Sequence, residues 1–400
     1  MSRSELAELV NDAVYRHTGR LAGLDGHYVA KLERGIIRWP GADYRSALRE
    51  VLGAATDSDL GFHRPRRCAD TGTLLPPSLL SANETERERL ARVLASPDRA
   101  DMATVRHLAD VLDAQRHIED TIGSSRLLDM VRAEIELVEK LTRQAPPELR
   151  PALVALVAEY HQFAGTVCDD SGDHRAALHH YELAMTAGKE VSDANLVASI
   201  FGYRSHLAWR LRDPVSVIEL AQAGLRDSRR LSPAVLGALA QMQARGHAMH
   251  SDSAIADRLI DATEQLTNQA YEHPEDEPPW AYRQTPERVL FQRSVAYDEL
   301  GRHREAGVLA EKARIALPST YRRDHGRWNA TLALARAHDG DVPGALVAGW
   351  QALVILLDTG SAYTIADLQR MRRVLDRQQV DQALLDEFDR VLHLVTGSEQ

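Results

Sequence analysis

The sequence is poor in cysteine, lysine and aromatic residues, and each shortage removes a class of explanation. Its two cysteines, Cys68 and Cys168, lie far apart with no Cys-x-x-Cys spacing. They provide neither a disulfide framework nor a thiolate zinc site, a pattern that suits a reducing cytosol. Lysine occurs at only four positions (Lys31, Lys140, Lys189 and Lys312), which leaves 44 of the 48 basic residues as arginine. GC-rich coding produces that skew, so arginine abundance alone carries no functional message. Aromatics make up 5% of the chain, whereas 44% is apolar and mostly Ala, Leu and Val. Small and straight-chain apolar residues favour close helix packing over a sheet, where β-branched and aromatic residues are enriched. The start, Met1-Ser2-Arg3-Ser4-Glu5, lacks the apolar stretch of a signal peptide. The longest apolar run, around Ala345–Leu357, is interrupted by Gly and Trp and reads as too short to span a bilayer. The expectation is a soluble, cytoplasmic protein with no membrane partner.

Four hundred residues exceed one compact core and predict two or three folding units. The net charge of −10 is uneven: residues 1–67 hold 11 Lys/Arg against 9 Asp/Glu, and the acidic excess lies beyond them. Such asymmetry points the front end toward a polyanion. Three zones follow from the punctuation. Residues 1–62 are short helical segments joined by Gly- and Pro-containing turns, and residues 63–84 are a Pro-containing linker. The third zone, helical from about residue 85 to the end, divides into a connecting or capping region (85–150), a repeat array (151–360) and capping helices (361–400).

The array is read from recurring helix-turn-helix units. Helix Ala152–Cys168, the turn Asp169-Asp170-Ser171-Gly172-Asp173 and a helix from His174 to Val191 make one unit, with Gly165, Ala177, Tyr181 and Ala184 at the helix crossing. Glu287–Pro318 repeats it with Tyr297, Ala306 and Ala313, and Arg327–Leu357 with Ala345 and Ala352. Val197–Leu225 and Val235–Leu266 are weaker copies. This spacing resembles tetratricopeptide repeats, stretched to about 39–40 residues per copy. The resemblance implies a right-handed superhelix of helix pairs whose end helices cap the stack. The acidic, Pro-rich insertion Tyr271–Pro286 interrupts the array, either as a solvated loop or as a fold over a ligand groove.

At the front, Ser4–Val10 starts an amphipathic helix that Ser2 or Ser4 can cap. Asp25 can cap a second helix running into Leu32-Glu33-Arg34-Gly35, and a third, Asp43–Leu52, ends at Gly53. These segments, with YVAKLERGIIRWPGADYRSALREVLGAATDSDLGF, resemble the Cro/C1-type (XRE) helix-turn-helix family and a group of actinobacterial regulators that join this module to a tetratricopeptide-like body. The fold class expected is therefore all-α: a helix-turn-helix module followed by the repeat superhelix. The resemblance implies that the second motif helix enters the DNA major groove. It puts His27, Tyr28 and Lys31 toward base edges, and Arg34 and Arg38 toward phosphates. Tyr28 and Trp39 can equally be packing residues, and Lys31 part of a solvated face. Relative to the family pattern, the helix preceding Ser2-x-x-Glu5-Leu6-Ala7 is missing, and the connection Tyr15–Leu24 exceeds the usual turn.

No phosphate loop, HExxH or GxSxG motif is present, so neither enzymatic activity nor a cofactor is expected. His247 and His250, and His174, His179 and His180, cluster in sequence but read as solvated or capping residues, not metal ligands. The Asp169-Asp170 pair reads as a turn. On the concave face, Gln162, His206, Trp209, Arg210, Gln241, Arg245, Arg288, Phe291 and Arg327 are expected to line a groove. Guanidinium, amide and aromatic groups suit an extended peptide with a terminal carboxylate. The leading expectation is a homodimeric transcriptional regulator that binds operator DNA and senses a peptide or protein partner. The alternative is a repeat scaffold that does not bind DNA.

Overall fold

The computed structural model describes residues 2–19, 22–33, 40–54, 56–60, 62, 84–282 and 284–397. Among them are eighteen α-helices joined by turns and short 3-10 segments, with no strand. The chain divides into two compact units, Met1–Thr73 and Leu74–Gln400.

The first unit is built on α1 (Arg3–Thr18), α2 (Gly26–Glu33) and α3 (Ala42–Leu52). Ser2 starts α1 through a reciprocal capping box: its hydroxyl accepts from the Glu5 N–H at 3.2 Å, and the Glu5 carboxylate accepts from the Ser2 N–H at 2.6 Å. The α1–α2 connection is pinned by Asn11, whose side chain bonds both the carbonyl (2.7 Å) and the N–H (2.9 Å) of Leu24. Asp25 accepts the Tyr28 N–H at 2.7 Å, as its capping position leads one to expect. Ala7, Val10, Ala13 and Val14 on one face of α1 bury against Leu24, Val29, Ala47, Leu48 and Phe62. Segment 63–83 lies outside the described residues.

The second unit opens with α4 (Glu84–Ala95), α5 (Met102–Ile122) and α6 (Leu128–Gln144). Six helix pairs follow: α7 (Arg150–Asp170) with α8 (His174–Glu190), α9 (Ala194–Arg210) with α10 (Pro214–Gly224), and α11 (Pro233–Met249) with α12 (Ser253–Glu272). The last three are α13 (Pro286–Glu299) with α14 (His303–Ala316), α15 (Arg322–His338) with α16 (Val342–Thr359), and α17 (Ala362–Arg377) with α18 (Gln382–Gly397). Each turn inside a pair contains a residue of positive φ. These residues are Gly172, Arg212, Ser251, Gly301, Gly340 and Gln379, at intervals of 40, 39, 50, 39 and 39 residues. The one long interval contains the segment between α12 and α13, so an insertion has been added to an otherwise regular period. Asp173, Asp213 and Asp341, immediately after three of these residues, cap the following helix.

Small residues let the paired helices touch. A Cβ on Gly165 would stand 2.4 Å from the Tyr181 ring, and Ala177, Ala184, Ala306, Ala313, Ala345 and Ala352 are fully buried. Where sequence reading placed a turn at Asp169-Asp170, α7 continues to Asp170, and both carboxylates are buried. Partners from distant helices, described below, make helical burial of these charges tolerable. Helix α16 also departs from expectation, being long and apolar enough (mean hydropathy 1.5) to cross a membrane by those criteria alone. Its residues Ala348, Ala352, Leu353 and Leu356 are core, packed with Leu368, Met371 and Phe388. Core packing thus accounts for part of its apolarity.

The row of pairs curls until its ends meet. Gly123, just after α5, sits so close to the α16 end that a Cβ there would lie 1.9 Å from the Thr359 carbonyl oxygen. Asp170 accepts hydroxyl bonds from Ser124 on one side (3.0 Å) and Ser361 on the other (2.6 Å). Tyr363 donates to Asp169, and Arg323 of α15 pairs with Glu119 of α5.

Candidate functional site

Inside this curl, the first helix of successive pairs presents one stripe each to a cavity of about 210 Å³. From α9 come Ser199, Gly202, Tyr203 and His206, whose i, i+3, i+4, i+7 spacing puts them on one helix face. Val235, Ala238, Leu239 and Met242 of α11 form the apolar wall, with Gln241 beside them. Arg288 and Gln292 of α13, Arg323 and Arg327 of α15, and Tyr363 of α17 supply the polar side. The segment between α12 and α13 folds over the opening: Trp280, Ala281 and Gln284 face the cavity. The Tyr282 hydroxyl reaches Asp120 of α5 (3.2 Å), and its ring stacks on His117 at 4.6 Å. Each of the two sequence readings for this insertion holds for part of it: residues 271–276 are exposed, and Trp280, Ala281 and Gln284 line the cavity.

The charges around the cavity are unequally matched. Arg288 pairs with Asp324, and Arg323 pairs with Glu119 and reaches Asp324 at 3.3 Å. Arg327 and Arg245 are different: among the described residues no carboxylate lies within ion-pair distance of either. Arg327 donates to His206 Nε2 at 3.1 Å and lies over the Tyr363 ring at 4.6 Å. Arg245, 1% exposed, lies over the Trp209 ring at 4.4 Å and donates to the Gln292 side-chain oxygen. Its Nε and Nη1 have no hydrogen-bond partner among the described residues. Burial, reinforced by the like charge of Arg327, pushes its pKa down to about 9, so it is still a cation at neutral pH.

Asp169 organises the neighbouring histidine. Burial opposes its charge, but the nearby His206 ring and the hydrogen bond from Tyr363 outweigh that and hold it below the usual carboxylate range. His206 Nδ1 faces Asp169 at 3.8 Å. With the proton on Nδ1, Nε2 is the acceptor that Arg327 needs. Burial, with Arg327 and Arg245 nearby, pushes the His206 pKa down to about 3, which keeps that lone pair available. Burial raises Asp170 against the bonds from Ser361 and Ser124.

Of the nine groove residues expected from sequence, His206, Gln241, Arg288 and Arg327 line the cavity. Arg245 stands one layer behind it, joined to the wall through Gln292. Trp209 is buried beneath Arg245, and Arg210 lies over the other side of Tyr363 at 4.3 Å. Phe291 is a correction: it is 1% exposed and stacks on Trp328 at 4.5 Å, because its place one position from Gln292 turns it about 100° from the cavity stripe. Gln162 is likewise buried, and its side-chain amide donates within its own helix to Thr166 at 3.3 Å. Sequence reading missed Tyr203, Gln292, Arg323, Trp280 and Tyr363. The i+4 step from Arg288 to Gln292 and from Arg323 to Arg327 could have revealed two of them.

In the first unit, His27, Tyr28 and Lys31 belong to α2. Tyr28 is half-buried and packs on Tyr44 of α3 at 5.6 Å. Burial, then the neighbouring Tyr44, raises its pKa. The side chains of His27 and Lys31, and all of Arg34, Arg38 and Trp39, lie outside the described residues. The described arginines of this unit each meet a carboxylate: Arg3 with Glu33, Arg16 with Glu50, and Arg45 and Arg49 with Asp57.

No family model matches the chain, and no curated protein matches it significantly.

Proposed function

We propose that the chain is a cytoplasmic, homodimeric DNA-binding transcriptional regulator, with a helix-turn-helix module in front and a tetratricopeptide-like superhelix behind. In this reading α2 enters the major groove of operator DNA. The second unit senses a peptide or protein partner by taking its carboxylate end into the cavity, and the protein is not an enzyme. The observation that carries the sensing half is the pair of guanidiniums, Arg327 at the wall and Arg245 behind it, with no carboxylate partner among the described residues. Guanidinium forks recognise carboxylates with charge-assisted hydrogen bonds. The apolar wall of Val235, Leu239, Met242 and Trp280 suits the side chain next to that carboxylate. A cavity of about 210 Å³ takes a chain end, not an extended peptide, while the segment carrying Trp280 is closed. The DNA-binding half is supported by the motif resemblance and by the capped, eight-residue α2.

The test uses the full chain in two assays. Selection from a random duplex pool at low salt is expected to enrich one sequence, with affinity falling steeply as salt rises. A peptide library is expected to yield ligands that bind with a free C-terminus, fail when amidated, and are lost by Arg327→Met. No enrichment over non-specific binding defeats the operator reading, and equal binding of free and amidated peptides defeats the carboxylate reading. The pairing of every described arginine in the first unit favours a second reading, a scaffold whose front module does not contact phosphates. Peptide capture without any duplex enrichment is the result that reading requires.

A further inference from the structure

We infer that Asp298, His303 and His338 form a site for a divalent transition-metal ion of the zinc class, which clasps two successive helix pairs. Asp298 sits in the last turn of α13, His303 is the first residue of α14, and His338 is the last residue of α15. Nδ1 of His303 stands 2.7 Å from Asp298 Oδ1, and Nδ1 of His338 stands 2.9 Å from the same oxygen. The two rings lie 4.5 Å apart, and the three ligand atoms converge within 4.8 Å of one another. Zinc binds imidazole nitrogen and carboxylate oxygen at about 2.0–2.2 Å, so ligand atoms around one ion stand about 3 Å apart. Small side-chain movements convert the present arrangement into that one.

The electrostatics also suit a cation. The guanidiniums near the cluster are occupied elsewhere: Arg212 with Glu299, Arg302 with Asp257 and Glu305, and Arg304 with Asp339. Asp298 is 8% exposed, and the two imidazoles, at 29% and 24%, leave a path for solvent. Two nitrogens and one oxygen make a three-ligand set with room for water in a remaining position. In the hydrogen-bonded state both Nδ1–H groups donate to Asp298. Binding requires each Nδ1 to offer its lone pair, with the ring proton carried on Nε2 instead. Because α13 and α15 also carry Arg288 and Arg327, the clasp would fix the spacing of two cavity walls.

The experiment titrates full-length protein with zinc chloride alone in a non-chelating buffer, read by calorimetry, and with cobalt(II), read by visible absorption. Wild type is expected to bind one ion tightly, with cobalt bands of nitrogen–oxygen ligation. Asp298→Asn and His338→Gln are each expected to weaken binding at least tenfold. The more exposed His303→Gln should do the same with an unchanged melting curve, which separates ligand loss from misfolding. His180→Gln, at a half-buried histidine of α8 whose Nδ1 lies 3.0 Å from that of His161, should leave binding intact. The inference is overturned if wild type binds neither ion, if the three ligand variants bind as wild type does, or if His180→Gln alone abolishes binding.

Discussion

Arg245 allows the sharpest test of the cavity electrostatics, because its charge is buried without a carboxylate partner among the described residues. Replacing it with methionine keeps most of the volume and removes the cation. A pKa held at about 9, well below the ordinary guanidinium value, means that the charged form is disfavoured in the folded state. At about 1.4 kcal/mol per unit this is roughly 5 kcal/mol. The sign follows from proton binding: above about pH 9, up to the ordinary guanidinium value, the folded state binds fewer protons than the unfolded, and below about 9 the penalty is present in full. Against it stand the bond to Gln292 and the contact with the Trp209 ring, together worth roughly 2–4 kcal/mol. The balance predicts that Arg245→Met stabilises the ligand-free protein by roughly 1–3 kcal/mol, as when buried ion groups are replaced by apolar ones.

The assay is thermal unfolding of wild type, Arg245→Met and Arg245→Lys at neutral pH. Arg245→Met is expected to melt a few degrees higher, on a scale of roughly 2 °C per kcal/mol for a unit this size. Arg245→Lys keeps the charge but loses the planar fork, and is expected to melt lower than wild type. A fall in melting temperature for Arg245→Met would refute the reasoning, since it would make the buried cation a net source of stability.

Three other outcomes follow from particular residues. Gly123→Ala places a Cβ against the Thr359 carbonyl at a positive φ, and is expected to cost about 2–5 kcal/mol in denaturant unfolding; a loss under 1 kcal/mol would mean that the meeting of α5 and α16 is loose. His180 is pushed down to about 4 by burial and then by His161 and His179, so between pH 6.5 and about 4 the unfolded state binds the extra proton. Stability should therefore fall with pH across that window, by at most about 1.4 kcal/mol per unit, and the slope should be shallower in His180→Asn; an unchanged slope would assign it to other groups. Asp25→Ala removes the acceptor of the Tyr28 N–H and should destabilise the first unit by about 1 kcal/mol, followed by amide exchange in α2; unchanged exchange would contradict the cap.

The helices were legible because their signals are local. Asp25 caps where the sequence places a cap, Asp173 ends a turn where the sequence places one and caps the helix after it, and Ala177, Ala184 and Ala306 are buried as helix-crossing residues should be. The period was legible too, since a positive-φ turn residue recurs with each pair. What could not be read is whatever depends on where the row of helices ends up. Asp169 and Asp170 look like a polar turn in isolation. They become buried hubs only because the ends of the row bring Ser361 and Tyr363 to them, more than 190 residues away. The cation pair had the same difficulty: Arg327 and Arg245 read as groove residues on a par with Arg210 and Arg288. Only the folded arrangement distinguishes them from Arg288 and Arg323, which have acids. Asp298, His303 and His338 were missed because two of them flank a turn and the third lies on another helix.

The distribution of acids around the cavity explains why the unmatched charges stand where they do. Glu119, Asp169, Asp170 and Asp324 are engaged with Arg323, His206, Tyr363, Ser361 and Arg288, and most of these bonds join helices far apart in the chain. The carboxylates therefore hold the curl closed, and little acidic surface is left for Arg327 and Arg245. An anion entering the cavity would supply what these two lack. It would touch α15 through Arg327 and reach α11 through Gln292 and Arg245, so it would bridge helices that the acid network joins only indirectly. A ligand that binds only the folded state stabilises it in proportion to the logarithm of its concentration. That gain should be felt first by the walls it bridges and by the Trp280 segment closing over it. The same relief of like-charge repulsion would raise the pKa of Arg245 toward its ordinary value. Arg245→Met should consequently melt higher than wild type without ligand and lose part of the ligand-induced rise, a reversal that a purely structural arginine would not produce.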